Sequence, residues 1–171
     1  MAPSRGMMCT PNLAPISTTM TRFRLRRLTP AERALAAEMF GVGLHTARIR
    51  ILALPLWPRA FVAGGSLIVW PARDLPVDFG NAPIRDQATF VHELTHVWQA
   101  QRGVSLILGK LRAGDSPAAY AYDLTHETDF AALNIEQQAM VVEHAFAASR
   151  GQPTPCDAEL YGNMGHCWGK P

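Results

Sequence analysis

The sequence predicts a small α+β domain, and three observations carry that reading. A capped helical segment opens the ordered part of the chain; two β-prone runs meet at a glycine pair; and two long, largely apolar helical patterns fill the second half. At 171 residues the chain fits one domain with short extensions and is long enough to bury an ordinary core. Apolar residues at 48% and charged residues at 18% describe a water-exposed globular chain rather than a fibrous or low-complexity one.

The first helix follows from "LTPAERALAAEMFG". Thr29 can cap, Pro30 suits the first helical position, Glu32 completes a capping box and Gly41 supplies the stop, so a helix is expected over 30–40. In "ARIRILAL", Ile49 and Ile51 alternate with Arg48 and Arg50, the period of a half-buried strand. "RAFVAGGSLIVW" places Gly64 and Gly65 between two β-prone runs, as in a tight hairpin. Pro55, Pro58, Pro71 and Pro76 keep these strands short, which makes the sheet small and mostly antiparallel.

A loop over 71–84 leads to Pro83, which opens a helix running to about 102 and stopping at Gly103. A less regular stretch, "VSLILGKLRAGDSPAAYAYDLTHET", links it to a second long helix over roughly 129–149. We divide the chain into a leader (1–27), a domain (28–150) and an irregular Gly- and Pro-rich tail (151–171). Met20 is a candidate start within the leader, and no internal repeat is present.

Charge excludes one class of partner. Sixteen basic and fourteen acidic side chains give a net +2, too little for an electrostatic nucleic-acid binder. The four arginines of "TRFRLRRL" read as a solvated face. No apolar run approaches the roughly 18 residues a membrane span needs, and the leader has no signal-peptide apolar core. A cytoplasmic protein, or one exported by a non-classical route, is therefore expected. Cys9, Cys156 and Cys167 read as reduced thiols, with a Cys156–Cys167 bridge left open.

The chemistry concentrates in "TFVHELTHVWQAQRG". His92 and His96, four apart, lie on one helical face and can offer imidazole nitrogens to one ion. Glu93 is rotated about 100° from His92 and is the candidate catalytic base that addresses a metal-bound water. Burying three titratable groups among Phe90, Val91, Leu94, Val97 and Trp98 without a shared purpose is costly. Catalytic zinc takes three protein ligands. Glu136 of the second long helix is the first choice for the third, and Glu143, seven residues on, is the alternative or an acceptor for a ligand imidazole. His126 and His144 are weaker rivals, and His166 with Cys156 and Cys167 is too irregular a set to count. Tyr120 and Tyr122 precede this helix, and Tyr122 is the candidate donor to an oxyanion.

"FVHELTHVWQAQRG" resembles the active-site helix of the zincin metallopeptidases, and the acidic third ligand points to the gluzincin branch. Taken in order, "LTPAERALAAEMFG", "FVHELTHVWQAQRG", "YAYDL" and "LNIEQQAMVVEHAF" resemble small bacterial Vgr-related proteins and, more distantly, the DUF4157 domain. The resemblance covers residues 28–148. It implies a zincin-like fold with the active-site helix under a short sheet and a cleft edge near "SLIVW". It further implies zinc on His92, His96 and Glu136, and a peptide or protein substrate. Met140 departs from the pattern, standing where many gluzincins carry an acidic residue. The leading expectation is a zinc peptidase. Beside it stand a zinc-stabilised, non-catalytic binding or assembly module of a type VI-like secretion system, with a partner from that apparatus, and a narrow-specificity effector.

Overall fold

The computed structural model describes residues 24–169. Among them, four strands form one sheet in the order β1-β2-β4-β3, from β1 (Leu25–Arg27), β2 (Arg50–Leu54), β3 (Phe61–Ala63) and β4 (Leu67–Pro71). β1 runs antiparallel to β2, with Leu25 opposite Leu52, and β3 antiparallel to β4, with Val62 opposite Ile68. The central pair, β2 and β4, is parallel, with Ile51 opposite Ile68. The sheet is thus mostly antiparallel, as expected. Its parallel centre arises because β3 folds back along the outer side of β4, leaving β4 to lie against β2.

The glycine pair makes that fold-back possible. Gly64 and Gly65 have φ of +56° and +71°, a conformation that costs other residues dearly. A Cβ on Gly65 would also lie 2.9 Å from the Ala100 side chain, so the hairpin tip sits hard against the next helix.

Helix α1 (Pro30–Phe40) begins where its capping box predicts, with Thr29 accepting from Glu32 N and Glu32 accepting from Thr29 N. Glu32 does more than cap. Fully buried, it takes both guanidinium nitrogens of Arg26 at 2.6 Å and Phe79 N at 3.0 Å. This joins β1, α1 and the turn Phe79–Asn81. Arg26 is consequently a half-buried structural cation rather than part of a solvated face, and Leu25–Arg27, expected in the leader, belong to the sheet.

Helix α2 (Ile84–Gln101) follows Pro83 and buries Phe90, Val91, Leu94 and Val97 completely. Phe90 stacks on Phe79 at 4.4 Å, tying α2 to the α1 side of the core. Its longest packing partner is α5 (Ile135–Ser149), whose Ala139, Val141, Val142 and Phe146 are buried. The second long helix starts later than its periodicity suggests. Asp129 caps only the 3₁₀ turn Phe130–Ala132, and Asn134 then begins a new helix with its own capping box to Gln137.

Two segments expected to be irregular are helical. The connection contains α3 (Leu106–Ala113) and α4 (Pro117–Tyr120), and the tail contains α6 (Ala158–Met164) and a 3₁₀ turn Gly165–Trp168. Tyr161 and Trp168 enter the main core, Trp168 packing on Phe130 at 5.4 Å, so the tail is anchored by its aromatics despite its Gly and Pro content. Cys156 and Cys167 are free thiols. Cys9 and Met20 lie outside the described residues. Among the described residues no helix is long and apolar enough to cross a membrane.

Candidate metal centre

Helical spacing places His92 and His96 on the same face of α2, both largely buried, with ring centroids 4.9 Å apart. The third group comes from the first turn of α5. Asn134 Oδ1 accepts from Glu136 N and Gln137 N, which fixes that turn and leaves the Glu136 carboxylate at the positive end of the helix. Glu136 Oε2 lies 3.6 Å from His92 Nε2 and 3.5 Å from His96 Nε2. Donors about 2.0–2.2 Å from a tetrahedral ion stand roughly 3.3–3.6 Å apart, so these three atoms form one face of such a tetrahedron with little adjustment.

The outward nitrogens are also held. His92 Nδ1 donates to Glu143 Oε2 at 3.0 Å, and His96 Nδ1 donates to Gln99 Oε1 at 2.9 Å. With Nδ1 carrying the proton, each Nε2 presents its lone pair to the shared point. Gln99 then donates to Ile135 O at 3.0 Å and Gln138 Oε1 at 2.9 Å, so it also ties α2 to the start of α5. Among the described residues, His92, His96 and Glu136 are the group of donors able to hold a metal ion. An N₂O set with buried, oriented imidazoles fits zinc.

The electrostatics ask for a cation at this point. Burial alone would push the His92 imidazole down. Hydrogen bonds to Glu136 and Glu143, with the charges of Glu93 and Glu143, outweigh it and raise the group to about 10. Burial likewise favours a neutral Glu136, yet its bonds to His92, His96 and Lys110 hold the carboxyl well below the usual range. In the ion's absence, a proton on His92 offsets the carboxylates beside it. A divalent ion would take that balance over.

Glu93 behaves differently. It is buried, faces the cleft, and its Oε2 has no hydrogen-bond partner. Burial raises its pKa, His96 and His92 opposing the shift. An unpaired, easily protonated carboxylate oxygen beside the three donors is suited to taking up and returning a proton.

The group lies at the floor of an open cleft of about 1150 Å³. Trp57 and Phe61, from the β2–β3 connection and β3, form one wall, and Ile107 and Leu111 of α3 form the other. Arg59 and Asp115 face each other across the mouth at 3.6 Å.

Sequence reasoning gathered His92, Glu93, His96 and Glu136, and the structure brings them together, with Glu143 behind His92. Tyr122 goes elsewhere. It is not part of the cleft wall; its hydroxyl bonds His144 Nδ1 and lies 2.7 Å from the Tyr161 hydroxyl. Tyr120 is the phenol that lines the cleft, because the chain extends at Ala121 and separates the two rings. Burial first, then Tyr161, raises the Tyr122 pKa, so this hydroxyl stays protonated. His126, His166 and Cys167 share a separate small depression. Tyr120 was named beside Tyr122 but not chosen, and Gln99 and Lys110 were not singled out. Gln99 left one trace, a polar residue one turn beyond His96 in an apolar run; Lys110 left none.

No family model matches the sequence. The chain is 29% identical over 133 residues to the type VI secretion system spike protein VgrG2b of Pseudomonas aeruginosa, a match covering 71% of this chain and 13% of that protein. The chain therefore corresponds to a small part of the spike protein's length. The solved effector domain of Pseudomonas aeruginosa VgrG2b aligns with a TM-score of 0.65 at 26% identity, covering 81% of this chain and 80% of that one. In both sequence and fold, then, this α+β domain is similar to a domain carried by a type VI secretion spike protein.

Proposed function

We propose that this chain is an effector-type module associated with a type VI-like secretion apparatus, and that its chemistry is zinc-dependent hydrolysis of peptide bonds. The similarity to a spike protein's effector domain supports the first part. One observation carries the second: Glu93 Oε2, buried and unpaired, faces the same open cleft as the three donors His92, His96 and Glu136.

Bound zinc would acidify a water and polarise a substrate carbonyl. The chain's own residues do the rest. His92, His96 and Glu136 hold the ion, with Glu143 and Gln99 orienting the two imidazoles. Glu93 Oε2 takes the proton released on attack and returns it to the leaving amine. The exposed apolar walls at Trp57 and Leu111 would receive an extended segment of a protein substrate. The similarity to a spike-protein domain equally favours a second reading, a zinc-stabilised docking module without turnover.

Glu93→Gln separates the two. By elemental analysis the variant keeps the zinc content of the wild type. In a proteome-wide cleavage screen, and in growth inhibition on expression, it loses what the wild type shows. Equal cleavage by both proteins defeats the assignment of Glu93; zinc without any cleavage by the wild type leaves the docking module.

A further inference from the structure

Glu136 has two oxygens, and only one faces the histidines. The other, Oε1, lies 3.0 Å from Lys110 Nζ. That ammonium has further partners: it donates to the Tyr120 hydroxyl at 2.5 Å and forms an ion pair with Asp115 Oδ1 at 3.2 Å. Two of the ammonium's three protons are thus placed, one of them on Glu136. The same nitrogen lies 4.8 Å from the Tyr120 ring centroid.

We propose that Lys110 is a positioning residue that commits Glu136 to donating a single oxygen and so keeps one coordination position open for water or substrate. The inference rests on the metal reading of His92, His96 and Glu136. A carboxylate whose second oxygen is free can turn and offer both to one ion, filling the position that hydrolysis needs. Lys110 opposes that turn with a charge-assisted hydrogen bond on Oε1. Its own placement comes from α3, which contacts α5 closely: a Cβ on Gly109 would lie 2.7 Å from Ile135 Cδ1. Gly109 thus brings the neighbouring Lys110 within reach of the first turn of α5. A second consequence concerns Tyr120. Its oxygen accepts from Lys110, which leaves the phenolic proton available to the cleft that Tyr120 lines.

The test uses cobalt(II) in place of zinc, whose visible spectrum distinguishes four- from five-coordinate sites without any substrate. Wild type should show the intense bands of a four-coordinate site. Lys110→Met should give the weaker, shifted bands of a five-coordinate one, and Lys110→Arg, which restores a donor to Glu136, should return towards the wild-type spectrum. Lys110 is part-exposed on a helix with no buried residue, so folding should survive both changes, as circular dichroism will verify. A Lys110→Met spectrum identical to wild type overturns the proposal while leaving the metal site intact. A wild-type chain that takes up no cobalt overturns the metal reading itself, and this proposal with it.

Discussion

Replacing Gln99 by Met tests whether one buried amide orients the site and joins its two helices. Met has nearly the length and volume of Gln but no strong donor or acceptor. Three contacts disappear: acceptance from His96 Nδ1, and donation to Ile135 O and Gln138 Oε1. At about 1 kcal/mol for each neutral hydrogen bond, the loss is roughly 3 kcal/mol, and apolar burial of the thioether returns part of it. For a domain of this size about 2–4 °C of melting temperature accompanies each kcal/mol, so a fall of about 5–10 °C is expected. The second effect is local. His96 loses the partner that keeps its proton on Nδ1, and removal of such a partner commonly lowers metal affinity about 10- to 100-fold. Calorimetric unfolding without metal measures the first effect, and zinc competition with a chromogenic chelator measures the second. A variant that melts with wild type and binds zinc equally well would refute both roles.

Three further outcomes follow from the packing. In Glu32→Gln, either orientation of the amide turns its nitrogen onto donors, since each carboxylate oxygen accepts from two of them. Breaking this buried pair should cost about 3–5 kcal/mol, and a urea midpoint equal to wild type would contradict the bonding described. Trp168→Ala removes a fully buried ring from the tail and should cost about 3–5 kcal/mol; a change under about 1 kcal/mol would mean that the tail does not share the core. His144 should contribute acid sensitivity. Burial first, then His92, lowers its pKa against the pull of Glu143, and Tyr122 and Tyr161 supply a chain of hydroxyl donors suited to a neutral ring. Below about 6.5 the unfolded chain binds a proton that the folded one resists, so stability falls as pH drops from there. His144→Gln should flatten this fall in urea titrations at successive pH values; parallel curves would rule it out.

What could be read from the sequence was local. The Thr29–Glu32 capping box, the Gly64–Gly65 turn and the four-residue spacing of His92 and His96 each lie within one turn, and each appears where it was expected. Glu136 was accessible at one remove, because a carboxylate in a largely apolar helix demands a partner. The misplaced start of α5 had a local cause as well: Asp129 and Asn134 both make Asx caps, and periodicity alone could not tell a single turn from a helix. The rest depended on distant contacts. Lys110 meets Glu136 from 26 residues away, Gln99 meets Gln138 from 39, and Trp168 finds Phe130 across the chain. Neither periodicity nor composition encodes such meetings.

The route of the chain from β2 to β4 bears on how such a domain diversifies. The chain leaves the sheet after Leu54, passes Trp57, re-enters it as the edge strand β3 at Phe61, and turns back at Gly64–Gly65 so that β4 lies against β2 from Leu67. Leu56, fully exposed at a φ of +62°, is a point of backbone strain in this connection. Residues 55–60 can therefore lengthen, shorten or change character without shifting the pairing of Ile51 with Ile68, and without touching the helices that hold His92, His96 and Glu136. The candidate metal donors sit on one part of the scaffold and this wall of the cleft on another, so the wall can be rewritten while the donors stay in place.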